Sequence, residues 1–119
     1  MEKFIQAFVE AGLYYASKGG DQALEQVYGV QDLEPDALAA ITTECEKFVT
    51  ENATDIGDKF HQAGGDFWTA RNFSTSDQGF LTYWWPLESA ARLNKAAKRF
   101  DGCEFAIGLD NKIHFYNVR

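Results

Sequence analysis

The sequence predicts an α+β fold in the order ααββαββ, with helices packed on one face of an antiparallel sheet. Three observations predict it. Apolar residues recur at three- and four-residue spacing through most of residues 1–63. After Gly64-Gly65 that pattern gives way to runs rich in aromatic and β-branched residues. Near the C-terminus, CEFAIGLDNKIHFYNV alternates apolar and polar positions on both sides of a turn signal. At 119 residues the chain suits one domain, and 45% apolar with 15% aromatic content excludes a disordered one. Residues 1–119 are thus read as a single domain, with a helical acidic half (1–65) and a ββαββ half (66–119).

The first helix is carried by Phe4, Ile5, Phe8, Val9, Gly12, Leu13 and Ala16, which form one stripe, and Gly19-Gly20 ends it. A connector over 19–34 holds the anchors Leu24, Val27, Tyr28, Val30 and Leu33 and is expected to pack down. A second helix starts at Pro35, a residue suited to the first helical position, with Asp36 near the positive end of the dipole and Glu34 as an indifferent cap. Leu38, Ile41, Cys45, Phe48, Asn52, Ile56, Phe60 and Ala63 keep helical spacing as far as Gly64-Gly65, as one long helix or two abutting ones, with Gly57 the weak point. Asp66 to Asn72 and Gly79 to Trp85 read as an antiparallel hairpin around the polar turn FSTSDQ, ended by Pro86. Leu87 to Phe100 reads as a helix closed by Asp101-Gly102. In the last hairpin, a three-residue loop Leu109-Asp110-Asn111 with Asn111 left-handed pairs Ile107 with Ile113 and Phe105 with Phe115. A two-residue loop would exchange the faces.

The net charge of −7 is uneven: residues 1–66 hold 13 acidic and 4 basic side chains, whereas residues 67–119 hold 5 and 7. Such a balance speaks against direct nucleic-acid binding, because phosphate neutralisation needs a larger basic excess. At about 100° per residue, Glu44, Glu51, Asp55 and Asp58 fall in one wedge beside the apolar stripe of the second helix. This wedge is read either as solvated helix surface, with Lys47 and Lys59 near enough to pair in it, or as a docking surface for a basic partner. Cys45 and Cys103 lie on apolar faces and, with no export signal, are expected as buried reduced thiols in a cytoplasmic protein. No segment has the length or apolarity of a membrane span.

The stretch GFLTYWWP, residues 79–86, is the strongest chemical signal. In a strand its aromatics divide between two faces, so one tryptophan belongs to the core and the other to a second face shared with Trp68. Trp68, Tyr83, Trp84 and Trp85 are therefore candidates for contact with a partner, against the plainer reading of core and edge cover. His61, Asp66, Arg71 and Asn72 form a candidate polar site beside the glycine pair, although Asp66 could serve the turn alone and Arg71 with Asn72 could simply pin the hairpin. No nucleophile elbow, phosphate loop, dinucleotide fingerprint or close metal-ligand spacing is present, so no catalytic residue, metal or cofactor is expected.

The segments FIQAFVEAGLYY, YGVQDLEPDALAAI, ECEKFVTEN, QAGGDFWTARN and GLDNKIHFY, taken in order, resemble a family of small proteins encoded by bacteriophages and prophages. GDFWTARN is the most specific of them. Relatives commonly carry histidine at the position of Gly65 and a Gly-Phe-Trp-Asp strand where this chain has GFLTYWW, so any role of that histidine or aspartate is absent or relocated here. The resemblance implies a phage setting and supplies no reaction. Three functions follow as expectations. The first is a non-catalytic accessory protein that binds a host protein, to block a defence or redirect a nucleic-acid-processing machine. The second is a DNA mimic using the acidic helix. The third is a small enzyme or ligand-binding protein centred on His61, Asp66 and Arg71. An exposed sheet edge or aromatic face could also make a homodimer.

Overall fold

The computed structural model describes residues 1–17, 23–73 and 78–118; the Gly19-Gly20 stop and most of the FSTSDQ turn lie outside the described residues. The fold is mixed α and β, with α1 (Glu2–Ala16), α2 (Leu24–Val27), α3 (Pro35–Glu51), α4 (Ala53–Ile56), α5 (Phe60–Asn72), α6 (Leu87–Ala97), β1 (Gly102–Ile107) and β2 (Ile113–Val118). Among the described residues no helix is long and apolar enough to cross a membrane.

The stripe on α1 is buried as its spacing requires, through Phe4, Ala7, Phe8, Val9, Gly12 and Leu13. Most of the described part of the connector packs down: Leu24, Tyr28 and Val30 are half-buried against the core, whereas Val27, expected as an anchor, is exposed. Leu33 is buried and bridges to Ile113, while the Glu34 N–H donates to the Ile113 carbonyl at 2.9 Å, which closes part of the outer edge of β2. Glu34 is a better cap than its residue type suggests. Its carboxylate accepts from the backbone N–H groups of Asp36 and Ala37 at 3.0 and 3.1 Å, satisfying two donors that the helix start leaves unpaired.

The long second helix is broken into three. The α3 helix ends at Asn52, whose side-chain amide donates to the Phe48 carbonyl at 2.8 Å, and α4 ends at Gly57, where φ is +61°. The third piece, α5, overturns the first predicted hairpin. Residues 66–72 are helical, and the helix runs through Gly64-Gly65 instead of stopping there. The buried positions Ala63, Gly64, Phe67, Trp68, Ala70 and Arg71 pair at three- and four-residue spacing, so the aromatic-rich segment follows a helical stripe into the core. Gly64 is present for contact, not for a turn. A methyl group there would lie on the Phe4 carbonyl oxygen of α1 and 3.1 Å from Ala7 Cβ. The division into a helical and a ββαββ half therefore falls inside one helix.

The segment 79–85 is not a strand either. Its missing ladder partner is replaced by one side chain: Asn94 accepts from the Phe80 N–H at 2.8 Å and donates to the Phe80 carbonyl at 2.9 Å. Trp84 and Trp85 N–H groups then close a turn onto the Leu81 carbonyl, both at 3.0 Å. Among the described residues the sheet is consequently a single C-terminal hairpin. Its register matches the three-residue loop, with Phe105 opposite Phe115, Ile107 opposite Ile113, Asn111 at φ +61° and the Gly108 N–H on the Lys112 carbonyl at 2.9 Å.

An aromatic core joins these elements. Phe48 stacks on Phe67 with centroids 4.1 Å apart, Phe4 and Phe8 contact Phe67, and Phe8 meets Phe105 and Phe115 of the hairpin edge-on. Cys45 and Cys103 are buried free thiols, and burial raises the pKa of both.

The two adjacent glycines of α5 give opposite expectations. Gly64→Ala overpacks the crossing with α1 and should lower stability by about 3 kcal/mol. Gly65→Ala meets nothing within 4 Å and sits in a helix interior, so it should raise stability by about 0.5–1 kcal/mol. Urea denaturation of the two variants measures both.

Candidate functional site

The four candidate polar residues all lie on α5, and the helix sends them to separate places. His61 is exposed, 3.9 Å from the Glu10 carboxylate. Asp66 is half-buried; its carboxylate accepts from Trp85 Nε1 at 2.7 Å and from Gln62 at 3.1 Å. Burial raises its pKa above the ordinary carboxylate value, with the Trp85 and Gln62 hydrogen bonds opposing that shift. Arg71 points the other way, into the core. Its guanidinium donates to the Asp101 carbonyl at 2.9 Å and to Asn117 Oδ1 at 3.1 Å, pairs with Glu44 at 2.7 Å, and is surrounded by the rings of Phe8, Phe67 and Phe100. Asn72 accepts from the Cys103 N–H at 2.7 Å and donates to the Trp68 carbonyl at 2.8 Å. Arg71 and Asn72 thus pin the C-terminal hairpin. No acid/base constellation is assembled, and among the described residues no group of three His, Cys, Asp or Glu side chains could hold a metal.

The acidic wedge does not survive as one ridge, because it assumed a continuous helix. Glu44 is consumed by Arg71, and Asp55, on α4, takes both nitrogens of a bidentate bond from Arg92 at 2.7 and 2.9 Å as well as the Ser89 hydroxyl. These bonds to Arg92 and Ser89 lower the Asp55 pKa. Glu51 and Asp58 remain exposed. The two lysines expected to pair within the wedge turn elsewhere: Lys47 lies over the Phe100 ring, and Lys59 donates to the Trp84 carbonyl at 2.9 Å with its ammonium over the Trp85 ring.

The aromatic candidates divide sharply. Trp68 is buried and stacks on Tyr15 with centroids 5.0 Å apart, and Trp85 is 2% exposed between Phe80 and Asp66, so both belong to the core and not to a contact surface. Tyr83 is 82% and Trp84 52% exposed, edge to face at 4.7 Å. They form a knuckle on the turn that Asn94 and Lys59 hold in place. Beside it runs an open groove of about 500 Å³ between this turn and α6, floored by Phe80 and Ala70 and walled by Leu81, Tyr83, Leu87 and Ala91. Leu87, 73% exposed, reads in the sequence with Ala90, Ala91, Leu93, Asn94 and Ala97 as support for this helix and not as surface. The signal was present: Ala90, Leu93 and Ala97 mark the buried side of α6, and Leu87 and Ala91 lie about a quarter to a third of a turn away from it.

The chain matches no protein-family model, no curated protein and no solved structure. The knuckle and its groove therefore rest on their own geometry.

The neighbouring tryptophans should behave oppositely on truncation. Trp85→Ala empties a core site and leaves the half-buried Asp66 carboxylate with Gln62 as its remaining donor, for an expected loss of about 3–5 kcal/mol. Tyr83→Ala with Trp84→Ala should stay within about 1 kcal/mol of the wild type, as thermal unfolding would show. Asp66 yields a pH test. Because its folded pKa is raised, the folded state binds the proton more tightly than the unfolded chain; the penalty is absent below the ordinary carboxylate pKa of about 4 and complete above the raised one. Asp66→Asn keeps an oxygen for Trp85 Nε1 and cannot ionise. Its melting temperature relative to wild type should therefore climb as pH rises from about 3.5 to 7.

Proposed function

We propose that this chain is a non-catalytic protein-binding module whose contact is the knuckle of Tyr83 and Trp84. The single observation that carries this reading is their exposure on a turn that four hydrogen bonds hold in shape: two between Phe80 and Asn94, and those from the Trp84 and Trp85 N–H groups to Leu81. Rigid, exposed aromatics offer contact area at little entropic cost and are enriched among the residues that dominate binding energy. In the phage setting that the family resemblance implies, the partner is a host protein met in the host cytoplasm, and the module acts as an accessory factor that occupies a surface of a host defence or nucleic-acid-processing machine. The DNA-mimic reading has less to draw on, since Glu44 pairs with the buried Arg71 and Asp55 with Arg92 at the surface, which leaves Glu51 and Asp58 of the wedge free of arginine.

Affinity capture from a bacterial lysate tests the proposal. Tagged wild type is compared with a Tyr83→Ala, Trp84→Ala variant and with a Glu51→Gln, Asp58→Gln variant, each checked for folding by circular dichroism. The expected result is a protein retained by the wild type and the carboxylate variant and lost from the aromatic one. Retention by the aromatic variant at wild-type level would remove the knuckle as the contact. Loss from the carboxylate variant alone would move the reading to mimicry.

A further inference from the structure

The outer face of α6 carries a pattern that the partner-binding reading leaves unused. Leu87 is 73% exposed and Ala91, one turn further on, is also exposed, giving a short apolar strip of a large and a small residue. Glu88 and Lys95 flank the strip on its solvent side, one toward each end of the helix, and neither is in an ion pair among the described residues. Arg92, the other cation at mid-helix, is drawn off this face by its bidentate bond to Asp55.

The order of charges is what selects the occupant. Glu88 and Lys95 are exposed, opposite in charge and on one flank of the strip, so a half-turn about the point between Ala91 and Arg92 puts each where the other was. An identical helix crossing antiparallel there sets Glu88 of each copy against Lys95 of the other, with Ala91 at the closest approach and Leu87 covered. A face that is its own complement under a two-fold rotation meets the condition for an isologous contact, and it removes an exposed leucine next to an aromatic groove from water. We infer that a second copy of this chain covers the outer face of α6, forming an antiparallel dimer through reciprocal Glu88 and Lys95 pairs. The dimer carries two copies of the Tyr83–Trp84 knuckle and does not depend on the knuckle's having any partner.

Sedimentation velocity on the full chain, from low micromolar to several hundred micromolar, tests this with charge reversal. Wild type should pass from monomer to dimer mass across the range. Glu88→Lys alone and Lys95→Glu alone each turn both reciprocal pairs into like-charge contacts, and each should weaken the dimer roughly tenfold or more. An equimolar mixture of these two variants should regain association as a mixed dimer, because the lysines of one copy then face glutamates on the other. The double variant Glu88→Lys, Lys95→Glu should regain it by itself. Both positions are surface sites, and circular dichroism checks that each protein is folded. Wild type that stays monomeric throughout, single variants that dimerise as wild type does, or a folded mixture that fails to associate would each overturn the inference.

Discussion

The close crossing of α1 and α5 is the constraint on which the rest of the molecule depends. Gly64 lets the backbone of α5 touch the Phe4 carbonyl of α1, and on the other side of the contact Gly12 leaves room for the ring of Phe105. A side chain at either point would force the helices or the hairpin outward. With both absent, Phe4, Phe8 and Phe67 come within ring-contact distance, and Phe48 of α3 stacks on the group that results. Helices this close cannot accommodate a sheet between them, and β1 and β2 pack beside α1, α3 and α5 instead.

Arg71 turns that core into something specific. A guanidinium among three phenylalanine rings needs polar partners, and they come from three elements: Nε donates to the Asp101 carbonyl before β1, Nη2 serves Glu44 on α3 and Asn117 on β2, and among the described residues the buried Nη1 has no hydrogen-bond partner. Removing one member of such a buried pair leaves an uncompensated charge, at a cost on the order of 3–5 kcal/mol. The same arrangement accounts for the loss of the acidic wedge, since Glu44 faces inward to a cation that the sequence places 27 positions later.

Local signals in the sequence were read correctly where they were local in origin. The α1 stripe, Pro35 at the start of α3 and the left-handed Asn111 of the last hairpin each follow from residues within one or two turns of chain. The segment 60–85 failed for the converse reason. GGDFWTARN resembles a helix stop followed by a strand because glycine pairs and aromatic clusters are ambiguous without knowledge of what they touch; here Gly64 touches α1, and Phe67 and Trp68, one turn on, pack against the same helix. GFLTYWW looks like a strand because no local rule says that the amide of Asn94, fourteen residues on, will satisfy the backbone of Phe80. The candidate site shared this fate. The division of the aromatics into two buried and two exposed, and the separation of His61, Asp66 and Arg71, depend on a helical register that the strand reading replaced by an alternation of two faces.

The location of Arg71's partners also governs how the chain comes apart. If the terminal hairpin lifted away by itself, Asp101 and Asn117 would leave with it, and the guanidinium would remain among hydrocarbon rings with Glu44 alone. That intermediate is costlier than either the closed state or one in which the helices also separate and water reaches the charge. Fraying from the C-terminus is therefore suppressed, and the hairpin opens together with α5 as one cooperative unit. Native-state hydrogen exchange is accordingly expected to give the amides of β1 and β2 the opening free energy of those in the helical core, although the two strands are joined to each other by a single turn.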